Sequence, residues 1–180
     1  MDMTKNEKQI LHNSITDVAD FPKKGIVFKD ITTMLNDKVA YKTLMNILYK
    51  RYENLDIDYV VGLDARGFIF GGALAHRLNI GFVPIRKKGK LPQETISLKY
   101  SLEYGENELQ IHKNAFKHKK AKVLIVDDLC ATGGTAKAAY ELIKKLDANL
   151  IEFCFVIDIN LDNVKEQLSK LAPVFCVLDM

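Results

Sequence analysis

Residues 123–136 read VLIVDDLCATGGTA, and the parsing of this stretch decides the architecture. Val123 to Val126 is a short, β-branched apolar run, the pattern of a strand buried on both faces of a parallel sheet. From Thr135 onward, Ala136, Ala139, Tyr140, Leu142, Ile143 and Leu146 recur at helical spacing. Asp127 and Asp128 therefore fall at the carboxyl end of a strand, and Gly133-Gly134 opens a helix. That crevice is where open α/β sheets bind ligands. A helix N-terminus offers free N–H groups and the positive end of its dipole, and glycine lets the backbone come close to an anion. Thr132 and Thr135 add hydroxyl donors. The stretch reads as a phosphate cradle placed just after two acids.

Carboxylates repel phosphate, so the acids need a partner of their own. The chain contains neither G-x-x-x-x-G-K-[ST] nor G-x-G-x-x-G, which removes the main support for a P-loop or a dinucleotide fold. A ribose fits, because its vicinal hydroxyls donate to carboxylates. A nearby Mg²⁺ would also favour acids, although it takes few protein ligands and several substrate oxygens. Acids for the diol and glycines for the 5′-phosphate describe a ribose 5-phosphate site. The plainer alternative is a strand–helix turn with two solvated aspartates.

The 180-residue chain is 48% hydrophobic and 27% charged, which suits one globular domain over residues 1–180. Its net charge of +3 is spread along the chain in short lysine pairs, unlike the concentrated basic face of a nucleic-acid binder. A mild positive balance suits a small anionic substrate. Cys130, Cys154 and Cys176 form no C-x-x-C and read as buried thiols in a reducing compartment. The four histidines show no metal-ligand spacing. MDMTKNEKQI lacks the apolar core of a signal peptide, and no apolar run reaches membrane-spanning length. The expectation is a cytoplasmic protein that binds neither nucleic acid nor membrane.

Alternating patterns predict helices over 4–12, 38–52, 67–78, 135–145 and 162–170, with strands at 59–63, 81–85, 122–126, 151–157 and 174–178. Such alternation argues for a parallel sheet covered by helices on both faces, an α/β fold. Residues 13–33 read as irregular. Residues 87–116, rich in Lys, Gly, Pro, Glu and Tyr, interrupt the rhythm and read as a long flexible lid.

Other segments supply candidate site residues. VVGLDARGFIF, from Val60, again ends a buried strand in an acid and a glycine, with Arg66 in the turn. Arginine is the forked donor suited to phosphate or diphosphate, unless Arg66 is tied to Asp64. FVPIRKKGKLP, from Phe82, gathers Arg86, Lys87, Lys88 and Lys90 at another strand end. These cations are a solvated charge run or a diphosphate contact. In the lid, KYSLEYG, from Lys99, suits a mobile hairpin that closes on substrate. FPKKGIVFKDI, from Phe21, carries Val27 and Phe28 in a segment that is either core or a platform on which a flat purine stacks.

Four apolar residues, two acids and a T-G-G-T loop in fixed register closely resemble the signature of the type I phosphoribosyltransferases. The resemblance implies that Asp127 and Asp128 hold ribose hydroxyls, and that Ala131, Thr132, Gly133, Gly134 and Thr135 hold the 5′-phosphate. It places Asp64 to Gly67 in a diphosphate loop, often with a cis peptide, and makes Glu103 a candidate for proton transfer at the base. Tyr104 would close the site against water. Cys130 stands where Leu or another apolar residue is usual, and reads as packing. F-P-x-x-G-I-V-F-x-D-I, L-D-A-R-G-F, I-R-K-x-G-K-L-P, L-E-Y-G and D-D-x-x-A-T-G-G-T, in this order, resemble the adenine phosphoribosyltransferase branch of that family. The matches cover about two-thirds of the chain. Residues 1–36 would then form the base-binding segment, with Val27, Phe28 and the backbone of Lys29 at the base; Lys29 stands where Arg is frequent.

The implied reaction joins adenine to 5-phosphoribosyl 1-diphosphate, giving AMP and diphosphate. Mg²⁺ would be held mainly through the diphosphate, in a homodimer. Two alternatives stay open: the same chemistry on another purine base, and a regulator that senses phosphoribosyl diphosphate without catalysis. Such regulators carry an added helix-turn-helix domain, for which about twenty residues before Phe21 leave little room.

Overall fold

The computed structural model describes residues 3–102, 105–161 and 163–180, with the side chains of 101–106 left aside. The chain divides into two compact units, Met1–Asn54 and Leu55–Met180.

The first unit begins with α1 (Lys5–Asn13), whose capping box is complete: Thr4 Oγ1 accepts the Glu7 N–H at 3.2 Å and Glu7 Oε2 accepts the Thr4 N–H at 2.9 Å. An antiparallel pair follows, β1 (Thr16–Ala19) and β2 (Val27–Asp30). Residues 27–30 were expected to be irregular. They form a strand because Val18 and Phe28, and Thr16 and Asp30, meet across the ladder, a pairing that period-two patterning over four residues is too short to reveal. After α2 (Thr32–Asn36), Asp37 caps α3 (Lys38–Tyr52) by accepting the Val39 N–H at 2.7 Å. Ala40, Leu44, Leu48 and Tyr52 recur every four residues and bury one face of α3 together with Leu11 and Met34.

The second unit holds a seven-stranded sheet in the order β5-β6-β4-β3-β7-β8-β9, made of β3 (Tyr59–Leu63), β4 (Gly81–Lys87), β5 (Thr95–Leu102), β6 (Gly105–His112), β7 (Lys122–Cys130), β8 (Asn149–Asp158) and β9 (Val174–Asp179). The five strands from β4 to β9 across β3 run parallel, while β6 is antiparallel to both β4 and β5. Helices α4 (Gly67–Leu78), α5 (Gly134–Lys145) and α6 (Val164–Ser169) connect the parallel strands. Val61, Leu63, Val123 and Ile125 bury one face with Ala139 and Leu142 of α5. Their neighbours of opposite parity, such as Val60, face Gly71 of α4, so the two helices cover opposite sides of the sheet.

The expected parallel sheet is thus mixed: residues 95–112, read from sequence as part of a long loop, form an antiparallel hairpin along one edge. Ile96, Leu98 and Tyr100 pack toward the core between exposed Ser97 and Lys99, an alternation legible in TISLKYSL. The strand β7 also runs four residues past its expected end, because Asp127, Leu129 and Cys130 keep pairing with β8. The short α6 lies inside the expected 162–170 helix.

Beyond β3 the chain turns to β4 on one side; beyond β7 it turns to β8 on the other. The adjacent carboxyl ends of β3 and β7 are therefore the topological switch point, the place where such sheets leave a crevice for ligand.

Candidate active site

The two acids at the end of β7 stand in unequal surroundings. Asp128 is buried, and the Nε–H of Arg66 donates to its Oδ2. Asp127 Oδ1 accepts the Asp128 N–H at 3.0 Å. Burial, and then the negative charge of Asp128, hold the Asp127 carboxyl well above the usual carboxylate range, against the lesser pull of Arg66. A ligand that donates hydroxyl protons to this carboxylate relieves that cost. Such a perturbed acid in a strand-end crevice has the physical character of a functional group.

Arg66 reaches Asp128 because Gly67 lets the start of α4 sit against β7. A Cβ at Gly67 would lie 2.6 Å from the Val126 carbonyl oxygen and 3.0 Å from Asp127 Oδ1. Only a residue without a side chain permits this approach. The Asp64–Ala65 peptide preceding Arg66 is cis, as the resemblance implies. Asp64, the sequence's alternative partner for Arg66, instead accepts from Arg86 Nε at 3.3 Å and from the Lys87 N–H at 3.4 Å. Arg86 also donates to the Lys90 carbonyl at 3.2 Å and stands 5.7 Å from the Phe68 ring centroid. It therefore ties two strand-end loops together. Lys87 lines a cavity of about 390 Å³ with Lys88 and Lys99, where Lys88 is paired with Glu108 at 2.9 Å. The Lys90 side chain is exposed.

Past β7, Asp127, Ala131, Thr132, Gly133 and Thr135 line a concavity of about 60 Å³. Gly133 adopts φ 73° at the N-cap of α5, a left-handed conformation natural to glycine, and a Cβ there would meet Val164 at 2.7 Å. Gly134 then starts the helix, so the first-turn N–H groups of α5 bound the concavity. Thr135 Oγ1 lies 3.2 Å from the Tyr100 hydroxyl. Sequence reasoning missed Tyr100, which joins the edge hairpin to the glycine-rich loop; its alternating register was the available signal.

The other candidates belong to the N-terminal unit, described by itself. Val27 is exposed, Phe28 is half-buried with its ring edge-on to Phe21 at 5.2 Å, and Lys29 Nζ pairs with Asp17 at 2.8 Å. Phe28 is thus neither a core residue nor a free one. Glu103 and Tyr104 lie outside the described residues.

A family model described as the phosphoribosyl transferase domain matches residues 31–177. A curated relative from Campylobacter curvus (strain 525.92), named adenine phosphoribosyltransferase, is 55% identical over 180 residues and is covered, like this chain, over 99% of its length. Among solved structures, the adenine phosphoribosyltransferase of Rhodothermus marinus DSM 4252 matches with a TM-score of 0.91 at 38% identity, covering 98% of this chain and 100% of that one. The Saccharomyces cerevisiae adenine phosphoribosyltransferase, solved with an imino-altritol bisphosphate and adenine, matches with a TM-score of 0.89 at 39% identity, covering 97% of this chain and 100% of that one. With these matches spanning nearly its whole length, the chain belongs to the phosphoribosyl transferase domain family and, within it, to the adenine phosphoribosyltransferases.

Proposed function

We propose that the chain transfers the 5-phosphoribosyl group of 5-phosphoribosyl 1-diphosphate to adenine, releasing AMP and diphosphate in purine salvage. The observation that carries this reading is the seating of Gly67 against Val126 and Asp127, which sets a guanidinium, two carboxylates and a glycine-rich helix start around one switch-point crevice. Asp127 and Asp128 accept the ribose 2′ and 3′ hydroxyls. The N–H groups of residues 131–135, with the Thr132 and Thr135 hydroxyls, take the 5′-phosphate. Arg66 and Lys87 face the diphosphate, while Arg86 and Lys90 hold the loop that presents Lys87.

Displacement at the anomeric carbon passes through an oxocarbenium-like state, with negative charge growing on the leaving diphosphate. Fixed cations aimed at that charge lower the barrier. The hard oxygen donors of Asp127 and Asp128 fit Mg²⁺, which they would help to hold alongside the diphosphate oxygens. When bound, Mg²⁺ neutralises the leaving group. Phe28 stacks on adenine beside Val27 and the Lys29 backbone. Glu103 handles the proton of the attacking purine nitrogen, and Tyr104 shields the reacting centre from water.

Three free thiols support work in a reducing compartment, the cytoplasm. Among the described residues, no helix is long and apolar enough to cross a membrane. The exposed Phe21 and Ile26 support a homodimer that covers apolar surface.

The test incubates purified protein with Mg²⁺, phosphoribosyl diphosphate and, in separate reactions, adenine, hypoxanthine, guanine or xanthine, and measures nucleotide and diphosphate. AMP formed from adenine, and lost when Mg²⁺ is chelated, is the expected result. Nucleotide from another base without AMP, or no nucleotide at all, overturns the assignment.

A further inference from the structure

Cys130, Asp158 and Cys176 have no part in the reaction above, yet they converge. Cys130 ends β7 and stands opposite Asp158, the last residue of β8, while Cys176 lies in β9. One ligand atom from each lies within 4.8 Å of the other two. Cys130 and Asp158 are 1% and 3% exposed. Asp158 Oδ1 accepts the Asn160 N–H at 2.9 Å, but its buried Oδ2 accepts no hydrogen bond, and the Lys165 ammonium stands 3.5 Å from it. A buried carboxylate oxygen left in this state beside two sulfurs is suited to a cation.

A disulfide does not fit this arrangement. The strands β7 and β9 flank β8 instead of pairing with each other, and in a regular sheet backbones so placed stand about 9.4–9.8 Å apart. Bridged cysteines need Cα atoms within roughly 7 Å. A metal ion spans the gap: thiolates at about 2.3 Å and a carboxylate at about 2.0–2.2 Å around a tetrahedral ion bring the ligand atoms to roughly 3.5–3.8 Å of one another. Two thiolates and one carboxylate around a divalent ion leave one negative charge in excess, which the Lys165 ammonium beside Asp158 balances. Thiolates select against Mg²⁺, which prefers oxygen. On its carboxylate side the cluster borders a cavity of about 260 Å³, which Asp158 lines with Asn160, Lys165 and Glu166.

We propose that Cys130, Asp158 and Cys176 form a binding site for a thiolate-seeking divalent cation of the Zn²⁺ class, separate from any Mg²⁺ on the diphosphate. Binding breaks two S–H bonds, forms two metal–sulfur bonds and releases both protons to solvent. Since Cys130 immediately precedes Ala131, the ion links the phosphate loop to β8 and β9.

The test titrates the reduced, metal-free full-length chain with Co²⁺ and follows thiolate-to-cobalt charge-transfer and tetrahedral d–d absorption; Zn²⁺ is then added as competitor. One equivalent of Co²⁺, bleached by one equivalent of Zn²⁺ with proton release, is the expected result. Outer-shell losses alone weaken metal sites by about 10–100-fold, so Cys130→Ser and Cys176→Ser should each weaken Zn²⁺ binding by at least that much. Cys154→Ser should bind like the wild type, and melting curves of the metal-free variants check that each is folded. Absence of the thiolate band in the wild-type chain overturns the proposal whatever the variants do. Unchanged Zn²⁺ affinity in both folded serine variants overturns it as well.

Discussion

Asp127 and Asp128 share a strand end but not an electrostatic fate. Arg66 pairs with Asp128, whereas burial makes Asp127 hold its proton more tightly in the fold than in the unfolded chain. A carboxyl raised in this direction stabilises the fold less as pH climbs from the ordinary value of 3.8 through the raised one. Removing its charge therefore relieves the fold at neutral pH. Asp127→Asn should melt at or above the wild-type temperature at neutral pH, with the gap closing as the pH falls toward the ordinary carboxyl range. Turnover should drop, since losing a charge-assisted hydrogen bond costs about 1.5–3 kcal/mol, and 1.4 kcal/mol is about tenfold. Melting curves across pH and kcat/KM on the same protein check both halves; lower stability with intact turnover would show that Asp127 serves packing alone. Phe28 poses a parallel choice between stacking and packing. Phe28→Leu keeps the bulk and removes the aromatic face, and base stacking is worth about 1–3 kcal/mol. KM for adenine should rise about ten- to a hundredfold while that for phosphoribosyl diphosphate moves little. A lower melting temperature with an unchanged adenine KM would assign Phe28 to packing.

At the scale of elements, the site is made by close approaches between loops. Gly67 lets α4 touch β7, Gly133 lets α5 begin beside Val164, and Tyr100 ties β5 to Thr135. The last link is open to a clean test. Tyr100→Phe keeps the half-buried ring and deletes only the hydroxyl, a hydrogen bond worth about 0.5–1.5 kcal/mol net. KM for phosphoribosyl diphosphate should rise about two- to tenfold, with the adenine KM steady. If only the adenine KM responds, the hairpin does not support the glycine-rich loop.

At the scale of the whole molecule, candidate ligand groups fall in both compact units: Phe28 within Met1–Asn54, and the acids and phosphate loop within Leu55–Met180. A nucleotide that binds only the folded chain stabilises it by mass action, about 2.7 kcal/mol at one hundred times Kd. For a chain of this size each kcal/mol moves Tm by about 2–4 °C. Saturating AMP should therefore raise Tm by about 5–11 °C in scanning calorimetry, and Phe28→Leu should shrink the rise at equal AMP. An unmoved Tm at saturating AMP would remove the nucleotide from the site.

Sequence periodicity alone located α3, β3 and α4 with the boundaries observed, because their apolar spacing is local and each buries a continuous face. It also marked the DD…TGGT crevice, since strand-end acids and a glycine-opened helix have few other physical uses. Partnerships were beyond it. Arg66 and Asp128 lie 62 residues apart in the chain, and nothing local distinguishes Asp128 from Asp64 as the arginine's partner. The hairpin of β5 and β6, the extension of β7 through Cys130, and the meeting of Cys130 with Asp158 and Cys176 were decided by strand order and register. Spacing along a chain dictates which face of an element is apolar; which elements become neighbours, and which buried charges meet, follows only from how the faces pack.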